Sequence, residues 1–211
     1  MRKNPQDAGT SAKANPVGQR GAPGPLSALG RLSHTIATAE GIGAGLCVAV
    51  IFGLLLANVV SRGLGKPLIW TDELAVFLMV WAAFLGASLG IARRQHIAIT
   101  LLPDMAGAST RRALALAVDV ALLVFLLALS AQIWRWFDPI TLWRSASAEA
   151  FSLATFNFIY QEPTVTLGMR KMWFWLVLPL FCVTATIHVL ASLAGRLSGG
   201  DLAGDGGEAR T

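Results

Sequence analysis

The chain has 211 residues, of which 14% are charged and 55% hydrophobic, well below the roughly 25% charge of a soluble domain, so its long apolar runs place it in a bilayer. A formal net charge of +5 does not point to nucleic acid, because the bases sit at the ends of apolar runs and not on one soluble face. The two cysteines, Cys47 and Cys182, each lie inside an apolar run, which excludes a disulfide framework and reads as two small buried hydrophobes.

Residues 1–36 are rich in Pro, Gly, Ala and Ser with scattered Arg and Lys. They lack the apolar periodicity a core needs and are expected to form a disordered tail. No short apolar core followed by a small-residue cleavage site marks a removable signal peptide.

The first span is expected over residues 37–60, with Glu40 near its start and Asn58 near its end. Gly41, Gly45, Ala49, Gly53 and Ala57 recur every four residues. Small residues at that spacing let a neighbouring helix come close, although Gly and Ala are also simply common in spanning helices.

The second span, 74–92, is the best-defined element. It opens on Trp70, Asp72 and Glu73, runs uncharged from Leu74 to Ala92, and closes on Arg93, Arg94 and His96. About 19 apolar residues at 1.5 Å each nearly match a hydrocarbon core of about 30 Å. Thr71 is the expected N-cap, and acids in the first turn suit the helix dipole. Beyond that, Asp72 and Glu73 are candidates to pair with Arg62 or to dock a partner. Ala82, Gly86 and Gly90 repeat the small-residue spacing. Arg93 and Arg94 are explained by lipid headgroups alone, or by an inner contact with a partner subunit.

The third span is expected over 113–134, with Asp119 about two turns inside. An intramembrane acid is a functional candidate by default. The plainer reading gives it water at the near interface, or a partner such as Arg111, Arg112 or His188.

Between residues 135 and 171 lies a long connection. Phe151, Ala154, Phe158 and Ile159 would share one face of a helix too short to span, so an interfacial helix is expected over 150–160. Partial alternation of Phe151, Leu153, Phe156 and Phe158 leaves a strand open. The fourth span, 172–194, holds Pro179, which should kink it or loosen a hydrogen bond. His188 reads as a packed or snorkelling side chain and not as a ligand. Residues 195–211 are expected to be a second disordered tail.

With four spans, both termini and the middle loop share one side. That side carries 11 of the 17 Lys and Arg residues, so both termini are expected in the cytoplasm. Trp70, Trp134, Trp136, Trp143, Trp173 and Trp175 fall at the other ends of the spans and form an outer aromatic belt, while Trp81 alone lies inside a span. No phosphate loop, metal-ligand motif or nucleophile elbow is present, so neither enzyme activity nor a cofactor or metal is expected.

The runs Asn58-Val-Val-Ser-Arg62, Lys66-Pro-Leu-Ile-Trp70-Thr-Asp72-Glu73, Trp81-Ala-Ala-Phe-Leu-Gly86 and Ala92-Arg93-Arg94-Gln-His96-Ile resemble the small, DctQ-like membrane subunit of tripartite ATP-independent periplasmic (TRAP) transporters. Leu167-Gly-Met, Trp173 and Leu178-Pro179-Leu resemble its final helix. Asp72 stands where that family commonly has glutamate, and residues 145–163 are longer than the usual outer loop. The resemblance implies an all-α, four-span subunit of a bacterial inner membrane. It would pair with a much larger permease subunit that holds the substrate and ion sites. A periplasmic binding protein would deliver small organic acids, C4-dicarboxylates or sialic acid among them. On this reading Arg62, Trp70, Asp72 and Glu73 face partners outside, Arg93, Arg94 and His96 face them inside, and Trp81, Gly86 and Gly90 pack helices. The rival reading is a self-contained carrier or channel with Asp119 as its ion-linked residue.

Overall fold

The structure, a computed structural model, describes residues 25–93 and 108–198. The elements are α1 (Pro25–Gly63), α2 (Ile69–Ala92), α3 (Ala108–Phe137), α4 (Pro139–Arg144), α5 (Ala148–Thr155), α6 (Met172–Trp175) and α7 (Val177–Leu197). Among the described residues there is no strand, only one isolated bridge between Pro163 and Arg170. Four helices are long and apolar enough to cross a bilayer. The fold is therefore all-α with four spans, as the sequence leads one to expect.

Residues 25–36, read from sequence as tail, are helical within α1. The helix stops where Gly65 takes φ +71°. Gly65 N–H then donates to Arg62 O (3.1 Å) and Lys66 N–H to Ser61 O (2.9 Å), the two bonds of a Schellman ending, which favours glycine at the left-handed residue.

Helix α2 starts two residues before the expected cap. Leu68 occupies the cap position with no side-chain bond, and Thr71 lies inside the first turn, its hydroxyl donating to Leu68 O (2.6 Å). Pro67, which cannot continue a helix toward Lys66, stands just before this cap.

Helix α7 is the centre of the bundle and touches α1, α2 and α3. In its span 39% of the most apolar stretch is buried, against 6–11% in the other three. Leu126 and Ile133 of α3 meet Phe181, Cys182, Ala185 and Val189 of α7, with Phe84 and Ile91 of α2 against them. The helix is interrupted at Leu176, between α6 and α7. Pro179 accounts for the break, because its ring crowds the carbonyl of Trp175 and it has no N–H to offer that oxygen. The outcome is the loosened hydrogen bond expected at Pro179: Leu176 keeps helical angles (φ −61°, ψ −16°), and Met172–Leu197 remains one span.

The long connection folds as a cap over one end of the bundle. It contains two short helices, α4 and α5, in place of one helix over 150–160. Of the four residues expected on one face, Phe151 and Ile159 are buried and Ala154 and Phe158 exposed. Phe151, Ile159 and Tyr160 pack on Phe137, Met172 and Trp175.

Candidate functional site

Two polar networks stand out, one at each end of the bundle. The end bearing the cap also gathers Trp70, Trp134, Trp136, Trp143 and Trp173, all exposed.

At this tryptophan end the two acids of α2 do different work. Asp72 closes the corner between α1 and α2. It accepts from Asn58 Nδ2 (2.5 Å) and from Arg62 Nη2 (3.0 Å), while Arg62 Nε donates to Asn58 Oδ1 (3.2 Å). Asn58 is buried, so the short aspartate reaches its partners where the longer glutamate common in the resembled family would have to fold back. Both side chains of the Arg62–Asp72 pair are at least half exposed, and the pair contributes little to stability by charge alone.

Glu73 reaches across to a turn some 93 residues later. Its Oε1 accepts from Val165 N–H (2.7 Å), and its Oε2 from Thr166 N–H (2.7 Å), Thr166 Oγ1 (2.6 Å) and Leu167 N–H (3.3 Å). Three successive backbone N–H groups converging on one carboxylate form an anion nest. The turn is built for it. Thr164 N–H donates to Met169 O (2.8 Å), Gly168 takes φ +67°, and Lys171 Nζ pairs with Glu162 (2.5 Å) at its base. Thr164 is buried, while Val165 at the tip is 85% exposed. Glu73 thus fixes an outward-facing turn, a role that sequence reading did not assign.

Trp81 ties α2 to α6. Its indole N–H donates to Phe174 O (2.9 Å) beside the helix break, and Phe77 stacks on Phe174 at 4.0 Å. Ser88 Oγ and Thr184 Oγ1 meet at 3.0 Å deeper in the same interface. The packing expected at Gly86 and Gly90 is not made within this chain, since a β-carbon at either would meet nothing within 4 Å. The close approaches are at Gly41, against Leu89 and Arg93, and at Gly43, against Leu85. Gly45 and Gly53 face open space.

At the tryptophan end the cap also closes α3. Tyr160 Oη donates to Phe137 O (2.5 Å) and Asn157 Nδ2 to Trp136 O (2.6 Å), satisfying carbonyls a helix terminus leaves bare. Burial, with the Asp138 carboxylate adding to it, pushes the Tyr160 phenol above its ordinary value of 10.0.

At the opposite end Asp119 is paired, but not with the partners expected. Its Oδ2 accepts from Ser192 Oγ (2.7 Å) and Arg196 Nε (2.7 Å), so Arg196 belongs to the last turn of α7 and not to a loose tail. His188 is fully buried and lies 3.1 Å from Glu40 Oε2 through Nε2, with Ser33 Oγ at 2.7 Å from Nδ1. Sequence reading took His188 for a packed or snorkelling side chain and missed this cluster. The signal was present in the four-residue spacing of Thr184, His188, Ser192 and Arg196, which winds slowly around α7 and meets α2, α1 and α3 in turn.

A serine, a histidine and an acid in series have the connectivity of a nucleophilic triad. Ser33 lies within α1, where helical bonds use the surrounding backbone N–H groups, so the backbone of this helix offers it no free oxyanion donor. Arg93 is exposed at the end of α2, and Arg94 and His96 lie outside the described residues. Among the described residues no cluster of His, Cys, Asp and Glu is suited to a metal.

Residues 51–199 match the model of a family described as tripartite ATP-independent periplasmic transporters, DctQ component. The chain is 33% identical over 87 residues to the C4-dicarboxylate TRAP transporter small permease protein DctQ of Vibrio cholerae, covering 41% of this chain and 38% of that protein. It is 30% identical over 113 residues to the sialic acid TRAP transporter small permease protein SiaQ of Vibrio cholerae, covering 50% and 65%. It is 39% identical over 67 residues to the sialic acid TRAP transporter permease protein SiaT of Haemophilus influenzae, covering 31% and 11%. The chain therefore spans less than two thirds of each of these relatives.

Proposed function

The chain belongs to the DctQ-component family of tripartite ATP-independent periplasmic transporters, and from that premise we propose that it is a small permease subunit that scaffolds a larger one. With four apolar helices it is a multi-pass protein of a bacterial inner membrane. In this reading the large subunit carries the substrate and coupling-ion sites, and a periplasmic binding protein delivers a small organic acid. Both chain ends face the cytoplasm, by the excess of Lys and Arg at that end, and the tryptophan end faces the periplasm.

The observation that carries the proposal is the set of four hydrogen bonds that Glu73 accepts from residues 165–167. They hold an exposed turn at the tryptophan end, the end that also carries the Arg62–Asp72 pair, which suits a docking platform for a soluble partner. Below the platform the contact between α3 and α7 is closed by apolar side chains, which suits a support better than a conduit. The open stripe of Gly45 and Gly53 on α1 gives a helix of the large subunit room to approach. Arg93, Arg94 and His96 are proposed to meet that subunit at the cytoplasmic face, and lipid fills the remaining apolar surface.

The test is Glu73→Lys in the assembled transporter. Uptake should fall while the amount of subunit in the membrane and its co-purification with the large subunit stay normal. Normal uptake with that variant counts against the platform role.

A further inference from the structure

The Ser33–His188–Glu40 cluster has no part in docking or in helix support at the tryptophan end. It buries a carboxylate and an imidazole together, with side chains 4% and 0% exposed. One carboxylate oxygen, Glu40 Oε1, has no hydrogen-bond partner among the described residues. Leaving a buried charged acceptor unpaired is costly, so the cluster has room for one more hydrogen.

The geometry offers two hydrogen-bond patterns that differ by a single proton and keep both observed contacts. In the first, the Ser33 hydroxyl donates to His188 Nδ1, and His188 Nε2–H donates to Glu40 Oε2. The pair then carries one negative charge. In the second, a proton has been added from water. It sits on Nδ1 and donates to Ser33 Oγ, or it sits on Glu40 Oε1. The pair is then neutral, and no existing contact has been lost. A serine hydroxyl donates and accepts equally well, which makes Ser33 the pivot between the two patterns.

Water reaches the pivot. Ser33 lines an open cleft of about 350 Å³ at this end of the bundle, with Gly30, His34, Ala37, Thr38, Ala92 and Arg93. The charged and titratable groups around the cluster among the described residues are few. From α1 come Arg31 and His34, both exposed. From α2 comes Arg93, whose Nη2 lies 3.8 Å from where a β-carbon on Gly41 would sit. Arg196 of α7 is turned away onto Asp119 of α3.

We propose that Glu40, His188 and Ser33 form a binding site for one exchangeable proton, filled from the water at this end of the bundle. Glu40 and Ser33 belong to α1 and His188 to α7, so occupancy changes the charge buried in the α1–α7 contact. The proton passes from water through the Ser33 hydroxyl to His188 and Glu40, and returns by the same route; no bond other than O–H and N–H changes.

The test is a proton count on the full chain in lipid nanodiscs. Wild type and the Glu40→Gln/His188→Gln double variant are titrated between the acid and alkaline limits at which both stay folded. The double variant should bind one proton fewer per chain. A difference of zero means the cluster does not titrate, and a difference of two means two independent groups; either result overturns the proposal. If the double variant does not insert, Ser33→Ala, which keeps both titrating groups, replaces it. Wild type should then show a pH-dependent signature at the His188 ¹⁵N nuclei or at the Glu40 carboxyl ¹³C, whichever holds the proton, with a midpoint that Ser33→Ala displaces; no pH-dependent change, or the same change in both chains, overturns the proposal.

Discussion

Replacing Asp119 with asparagine separates a structural acid from an ion-linked one. Asp119 is about one-tenth exposed and Arg196 about one-quarter, and one carboxylate oxygen takes both Arg196 and Ser192 at 2.7 Å. Removing one member of a fully buried ion pair costs about 3–5 kcal/mol, mostly because the other charge is left uncompensated. Arg196 stands in the last turn of α7 and can extend its stem toward water, so the lower part of that range, reduced to about 2 kcal/mol, is expected. That is about a thirtyfold loss in the folding constant. Reversible unfolding of the purified chain in mixed micelles, followed by tryptophan fluorescence, reads it directly. Asp119→Asn/Arg196→Gln should recover about 1–2 kcal/mol relative to the sum of the single changes. Strict additivity, or an Asp119→Asn chain as stable as wild type, refutes the pairing argument. In the assembled transporter Asp119→Asn should keep the same ion dependence of uptake; an altered coupling ratio would place Asp119 on an ion path.

Glu73→Gln should loosen the turn it holds, seen as increased mobility of a spin label at Val165, with no change in insertion. Trp81→Phe removes the donor to Phe174 O and should cost about 1 kcal/mol, with faster hydrogen exchange confined to residues 172–178. Tyr160→Phe should cost about 1 kcal/mol through the lost bond to Phe137 O. Tyr160 is the sole tyrosine of the chain, so phenolate absorbance titrates one site. Because folding raises that phenol, its contribution is whole below the ordinary tyrosine value of about 10 and is lost as pH climbs through the native value. Alkaline destabilisation should therefore be weaker in Tyr160→Phe, and equal alkaline profiles would contradict the burial.

The four spans were legible because bilayer thickness imposes a length and a composition that sequence displays openly. Family motifs likewise marked Arg62, Asp72 and Glu73 as a group. What Glu73 holds was not legible. Its partners are backbone N–H groups some 93 residues away, and backbone groups leave no trace in residue identity. The Thr71 cap was misplaced because its hydroxyl bonds back to Leu68 O inside the first turn and does not cap a free N–H. Helical phase and small-residue spacing on α1 announced that some helix could approach, but not that Gly43 and Gly41 would face α2 while Gly45 and Gly53 stayed open. The Glu40–His188 contact joins the first and last spans, and only the arrangement of the bundle with α7 at its centre brings them together.

Proteoliposomes holding this chain alone, compared with proteoliposomes holding it with the large permease subunit and supplied with the binding protein, test the scaffold role most directly. An ion gradient should drive organic-acid uptake only in the complete assembly. Gradient-driven flux through the chain alone would contradict the account.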